Sequence, residues 1–176
     1  MAADAAGNDL SAVAVPLTGF IAWNPTATTP VAATDLAYAL PTGYNYLGLI
    51  TQDGGYSEET EAGERIEFFQ QGYSLLGSDG TLSFTATFAE NSEAVRQLLG
   101  YDAGTTGTRK VTAYEGEFGM FVAVKNKNGK SFIRAGVASV TDTTTSQETR
   151  GEVTSYEITF QWRWFSDTGF YRFKQV

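Results

Sequence analysis

The sequence predicts a mainly β protein: an antiparallel β-sandwich or partly closed barrel with one short flanking α-helix at about residues 92–99, and long loops. Three observations carry this. Several segments alternate apolar and polar side chains with a period of two, a single segment shows a helical stripe, and the chain between them is rich in Gly and Thr. The 176 residues fit one domain, taken as 1–176, and 12 Phe, 9 Tyr and 3 Trp give it bulky material for a core.

In chain order, residues 1–18 are small and Ala-rich and read as a flexible N-terminal arm, with the first ordered strand starting at residues 20–23. No positive region precedes the apolar run at 10–17, so a signal peptide is not expected, and no run is long enough to span a bilayer. Residues 24–44, with Pro25, Pro30 and Pro41, read as a long surface connection carrying a helical turn at 34–40. A strand is expected at 44–52 and is ended by Asp53-Gly54-Gly55. The acidic stretch 57–64 reads as a solvated loop; its Glu58, Glu59, Glu61 and Glu64 lack the spacing of a calcium loop. Residues 65–73 read as a strand, and Ser78-Asp79-Gly80 turns the chain into the segment Thr81–Phe88.

In that segment Leu82, Phe84, Ala86 and Phe88 alternate with Ser83, Thr85 and Thr87, so the strand has a buried face and a small polar face. The period then changes: Asn91 and Ser92 are good N-caps, Val95, Leu98 and Leu99 form a stripe, and Gly100 can end the helix. Strands are expected at 111–114 and 118–124, the latter closed by Asn128-Gly129 as a type I′ hairpin to a partner at 132–140. Residues 141–152 contain no apolar side chain and read as a long exposed loop. At 153–165 Tyr156, Ile158, Phe160, Trp162 and Trp164 face the core, while Glu157, Thr159 and Gln161 face away. An aromatic edge at 170–173 ends the pattern.

The chemistry of an enzyme is poorly served. With neither His nor Cys there is no Ser-His or Cys-His pair and no imidazole or thiolate metal ligand. Gly129-Lys130-Ser131 lacks the first glycine of a phosphate loop, and residues 72–77 miss the spacing of a nucleophile elbow. We therefore expect no catalytic residue, no metal and no cofactor. The formal net charge of −8 comes entirely from residues 1–64, which hold eight acidic residues and no Lys or Arg; the remaining twelve acidic and twelve basic residues cancel. Such an acidic balance argues against tight binding to nucleic acid, which rests on Lys and Arg displacing counterions. Trp162 and Trp164 beside Tyr156 admit a sugar-stacking platform, hence a carbohydrate-binding β-sandwich, as an alternative to core packing.

The order of features (LPTGYNYLGLITQDGGYSEET, RIEFFQQG, LSFTATFAENSEAVRQLLGYDAG, GMFVAVKNKNGKSFIRAGVASVTD and GEVTSYEITFQWRWFSDTG) resembles the tail tube protein, or major tail protein, of long-tailed, non-contractile bacteriophages. Residues 1–40 depart from that pattern. The resemblance implies a structural virion protein made in the bacterial cytoplasm and residing in the tail, whose subunits form rings, typically hexameric, that stack into a conduit for the genome. Partners would be the chain itself and the tape measure, tail terminator and distal tail proteins. DNA would pass without specific binding, and no membrane is involved. The inner tube of a contractile tail or secretion device is the nearest alternative. On this reading Ser83, Thr85, Thr87, Glu157, Thr159 and Gln161 face the lumen, and Gly55, Glu58, Glu59, Glu61, Thr143, Thr145 and Gln147 lie in loops that order on assembly.

Overall fold

A computed structural model of the chain describes residues 13–77, 79–102 and 107–176; the expected arm therefore falls largely outside the described residues. It is mainly β, with one large antiparallel sheet and one short helix, and the sheet does not close. The strands are β1 (Pro16–Asn24), β2 (Asn45–Tyr46), β3 (Tyr56–Glu61), β4 (Arg65–Glu67), β5 (Ser74–Leu76), β6 (Thr81–Phe88), β7 (Glu117–Asn126), β8 (Ser131–Thr145), β9 (Tyr156–Trp162) and β10 (Tyr171–Gln175); α1 spans Glu93–Leu98. The main sheet runs β2-β1-β7-β8-β9-β6-β3, and β10 also pairs with β8. Along one edge β8 meets β7 over 131–139. Along the other it meets β10 over 132–136 and β9 over 138–145.

The middle of this sheet is buried on both faces, which is why 118–124 and 132–138 are almost continuously apolar. One face holds the main core, built on Phe84, Phe88, Phe118, Met120, Ile158, Phe160 and Trp162. Phe84 stacks on Phe160 and tilts against Trp162, with 4.7 Å between centroids in each pair. The opposite face carries Phe121, Ala123, Ile133 and Ala135 under the connection 25–44, from which Leu36 and Tyr44 are buried. That connection is thus a lid over a second core. Its helical turn is shorter than expected, Ala33–Asp35, and Lys174 Nζ of β10 donates to the Leu36 carbonyl at 2.8 Å to pin it.

Several expected elements are redrawn. Residues 16–18 belong to β1 rather than to an arm. The strand expected at 44–52 keeps only Asn45–Tyr46 in the ladder, because the chain then leaves β1 for the end of β6. Leu47 N–H donates to the Ile21 carbonyl, whereas Thr51 N–H donates to the Thr87 carbonyl and Ile50 bridges Phe88. This crossing laces the two sides of the curled sheet without completing a ladder. Residues 111–114 form no strand, only a bridge between Tyr101 and Val111. The turn after β7 is where expected but not type I′: only Gly129 has positive φ, 83°, and its N–H donates to the Asn126 carbonyl. Trp164 does not join the core row, because β9 ends at Trp162, and it is 61% exposed.

The helix is built as its sequence suggests. Ser92 Oγ accepts from Val95 N–H at 3.2 Å and donates to the Leu47 carbonyl at 2.7 Å, so one hydroxyl caps the helix and ties it to the crossing segment. Val95 and Leu98 enter the main core, a contribution of about 1.5–3 kcal/mol each. Gly100 (φ 92°) ends the helix with its N–H on the Gln97 carbonyl and that of Tyr101 on the Arg96 carbonyl. A Cβ there would lie 1.6 Å from the Thr112 carbonyl oxygen. Gly100→Ala therefore destabilises the domain by about 2–3 kcal/mol, lowering Tm by roughly 4–12 °C in a thermal melt.

Candidate assembly surface

On the side of β3, β6, β9 and β8 away from the main core, the register brings polar residues into rows. Ser83 lies opposite both Glu59 and Gln161, Thr85 opposite Ser57 and Thr159, and Glu157 opposite Thr144. Thr85 and Thr159 join their hydroxyls at 3.0 Å, and Thr141 Oγ1 donates to the Thr159 carbonyl. The bulge between Val140 and Asp142 shifts the register, so that Asp142 faces Thr159. Five of the six residues expected on one polar face are thus together: Ser83, Thr85, Glu157, Thr159 and Gln161. Thr87 is the exception, at 8% exposed. The turn at 51–55 lies on it, with the Cβ position of Gly54 only 2.3 Å from Thr87 Cβ.

This face has four acidic members, Glu59, Glu61, Asp142 and Glu157, and the cross-strand positions among them carry no Lys or Arg. Both flanks of the four strands are open. β3 is the terminal strand of the sheet. At the other flank β7 pairs with β8 only as far as Ser139, leaving the outer edge of residues 140–145 unpaired by β7.

The expected assembly loops change accordingly. Gly55 ends the turn that leads into β3, and Glu58, Glu59 and Glu61 are strand residues. Thr143 and Thr145 belong to β8, opposite Ile158 and Tyr156, and only Gln147 remains in the shortened connection. Period two leaves no mark in these stretches because neither contains the apolar residues that normally reveal it.

Glu58 has a different part from its neighbours. It turns toward the core side, where its carboxylate pairs with Arg134 of β8 at 3.3 Å and accepts from Tyr56 and Tyr171 hydroxyls. The Arg134 guanidinium lies over the Tyr56 ring at 5.1 Å and the Phe173 ring at 5.9 Å. This clasp fixes edge strand β3 to β8 and β10 by side chains where no backbone ladder joins them. Nothing local to Glu58 announces a partner so distant in sequence.

Residues 65–73, expected as one strand, form half of a hairpin. β4 and β5 pair only with each other, through Arg65–Leu76, Ile66–Leu75 and Glu67–Ser74. Tyr73 N–H donates to the Gln70 carbonyl and Gly72 has φ 90°, so Gln70-Gln71-Gly72 is the turn that the apolar run concealed.

The three aromatics of the sugar-platform alternative do not form a platform: Trp162 is buried against Phe84 and Tyr171, Tyr156 packs on the core, and Trp164 is exposed. Among the described residues no helix is long and apolar enough to cross a membrane. No protein-family model matches the chain, and no curated protein matches it either.

Removing Arg134 strands a half-buried carboxylate. Arg134→Ala is expected to cost about 2–3 kcal/mol in denaturant unfolding, more than Glu58→Gln, which keeps a polar group for the two tyrosines. The tyrosines give a pH signature. Burial pushes Tyr44 up to about 12. Tyr56 goes further, by burial first and then by the hydrogen bond and negative charge of Glu58. Folding thus favours the protonated phenols, a contribution fully present below about pH 10 and lost as pH rises toward the folded-state values. Alkaline melts should show a constant Tm up to about pH 10 followed by a fall, shallower in Tyr56→Phe.

Proposed function

We propose that the chain is the subunit of a self-assembling tube, the tail tube of a long-tailed bacteriophage, in which β3 of one copy pairs with residues 140–145 of β8 in the next. The observation that carries the reading is the four-stranded polar face with both edges open. Exposed strand edges are normally blunted or covered, because they template pairing with other chains. Here the two edges flank one face and run in opposite senses, since each of the three steps from β8 to β3 is antiparallel. A neighbour related by rotation about an axis roughly along the strands continues the sheet antiparallel. The contact is heterologous, so repetition closes a ring.

Six copies, the number the resemblance suggests, give about 24 strands at about 4.8 Å spacing, a circumference of about 115 Å before tilt. The lining would be hydroxyls, amides and carboxylates: Ser83, Thr85, Thr159, Gln161, Glu157, Glu59, Glu61 and Asp142. Such a wall wets without binding bases, and its carboxylates repel phosphate over about a Debye length, roughly 10 Å. DNA then passes without being held. Thr143 and Thr145, on the opposite side of the extended β8, face the flanking subunit. Tape measure, terminator and distal tail proteins are the neighbours this reading expects.

The absence of cysteine makes the edge pairing directly testable. A chain carrying Glu59→Cys with Asp142→Cys or Thr144→Cys should oxidise into a ladder of covalent multimers on a non-reducing gel, and each single variant should not. Monomeric protein from both double variants under conditions that assemble the parent would refute the β3–β8 joint.

A further inference from the structure

The turn between β7 and β8 carries an Asn-Gly pair, Asn128-Gly129, that the polar face does not use. In such a pair the glycine nitrogen can attack the asparagine side-chain carbon, because no Cβ on the second residue screens the approach. Asn128 is exposed, and the Cβ direction of Gly129 meets nothing within 4 Å. The other asparagines of the described residues are less suited. Asn24 precedes Pro25, whose nitrogen has no proton to lose. Asn45 is held in the β2 ladder, and the Asn91 carbonyl accepts from Arg96 Nη1 at 3.2 Å. Asn126 is 2% exposed, and the N–H that follows it donates to the Val15 carbonyl at 2.9 Å.

The surroundings of Asn128 both favour the attack and gate it. Lys130 N–H donates to Asn128 Oδ1 at 3.1 Å and so draws electrons away from Cγ. Lys125, Lys127 and Lys130 are exposed about the turn, and residues 118–141 include no Asp or Glu, so negative charge developing there is stabilised. Two contacts oppose the reaction. Gly129 N–H donates to the Asn126 carbonyl at 3.0 Å, and Asn128 Nδ2 donates to the Val13 carbonyl at 3.4 Å. The turn must open for the two atoms to meet, and the segment 13–15, which also accepts from Lys127 N–H, braces it.

We propose that Asn128 is a self-acting deamidation site whose conversion releases the segment leading into β1 from this turn. The Gly129 nitrogen gives its proton to hydroxide and bonds to Asn128 Cγ; the Cγ–Nδ2 bond breaks, and Nδ2 leaves as ammonia. Water then opens the cyclic imide at either carbonyl, leaving aspartate or isoaspartate at position 128. Neither product can donate to the Val13 carbonyl, since an ionised carboxylate only accepts. Two acceptors then face each other, the brace is lost, and the strand end frays. The change is irreversible and adds one negative charge to a chain at −8.

Peptide mapping by mass spectrometry tests the reaction on the folded full chain, held at mildly alkaline pH. Aspartate and isoaspartate should accumulate at position 128 ahead of any change at Asn45 or Asn91, faster as pH rises and more slowly in Lys127→Ala/Lys130→Ala. Hydrogen exchange tests the release: the Lys127 amide should lose its slow exchange in aged wild type and in fresh Asn128→Asp, and keep it in aged Asn128→Gln. An Asn128 that stays intact in the folded chain while the urea-unfolded chain converts would overturn the site. Conversion that leaves Lys127 exchange unchanged, or an equal loss of protection in aged Asn128→Gln, would overturn the release.

Discussion

The packing of Phe84, Phe160 and Trp162 holds the sheet in its curl, and the remaining features follow from that curvature. Because β6 and β9 wrap these rings around the side chains of β7, the edge strand β3 swings back toward β8 and β10. It arrives close enough for Glu58 to reach Arg134 and Tyr171, but not for a backbone ladder. The crossing segment after β2 and the capped helix close the remaining gap by hydrogen bonds to Ile21, Thr87 and Ser92. A core satisfied in this way leaves the opposite face of β3, β9, Ser83 and Thr85 of β6 and the part of β8 beyond Val137 to polar side chains, whereas Ile133 and Ala135 of β8 and Thr87 of β6 are buried on that side.

What could be read from the sequence follows the range of the forces involved. The alternation in β6 and the Ser92 cap are local, and residues 81–100 fold as their spacing says. The polar row Ser83, Thr85, Glu157, Thr159 and Gln161 was legible for the same reason, since period two fixes a face wherever a strand lies. Thr87 was lost because a turn from elsewhere covers it. Residues 65–73 read as one strand because an apolar run hides the turn inside it, while the polar stretches 57–61 and 141–145 read as loops although their backbones complete a ladder. Glu58 looked like one more solvated carboxylate; its role depends on a partner strand that only the fold brings near.

Electrostatics ties the architecture to the proposed assembly. The N-terminal third of the chain supplies all the net negative charge, and the fold distributes part of it to edge strand β3 and the base of the apolar hairpin. One carboxylate there is consumed internally by Arg134, which makes β3 a rigid edge; its neighbours Glu59 and Glu61 remain on the polar face. In the proposed assembly a single edge strand contributes both a pairing surface and a repulsive lining for a polyanion.

The central claim is that this polar face lines a closed channel. A cryo-electron microscopy reconstruction of the assembled protein tests it most directly. The account predicts rings in which β3 continues into β8 of the neighbour, with Thr85, Thr159 and Glu157 on the inner wall. An assembly that turned those residues to the outside, or a protein that stayed monomeric at every concentration, would contradict it.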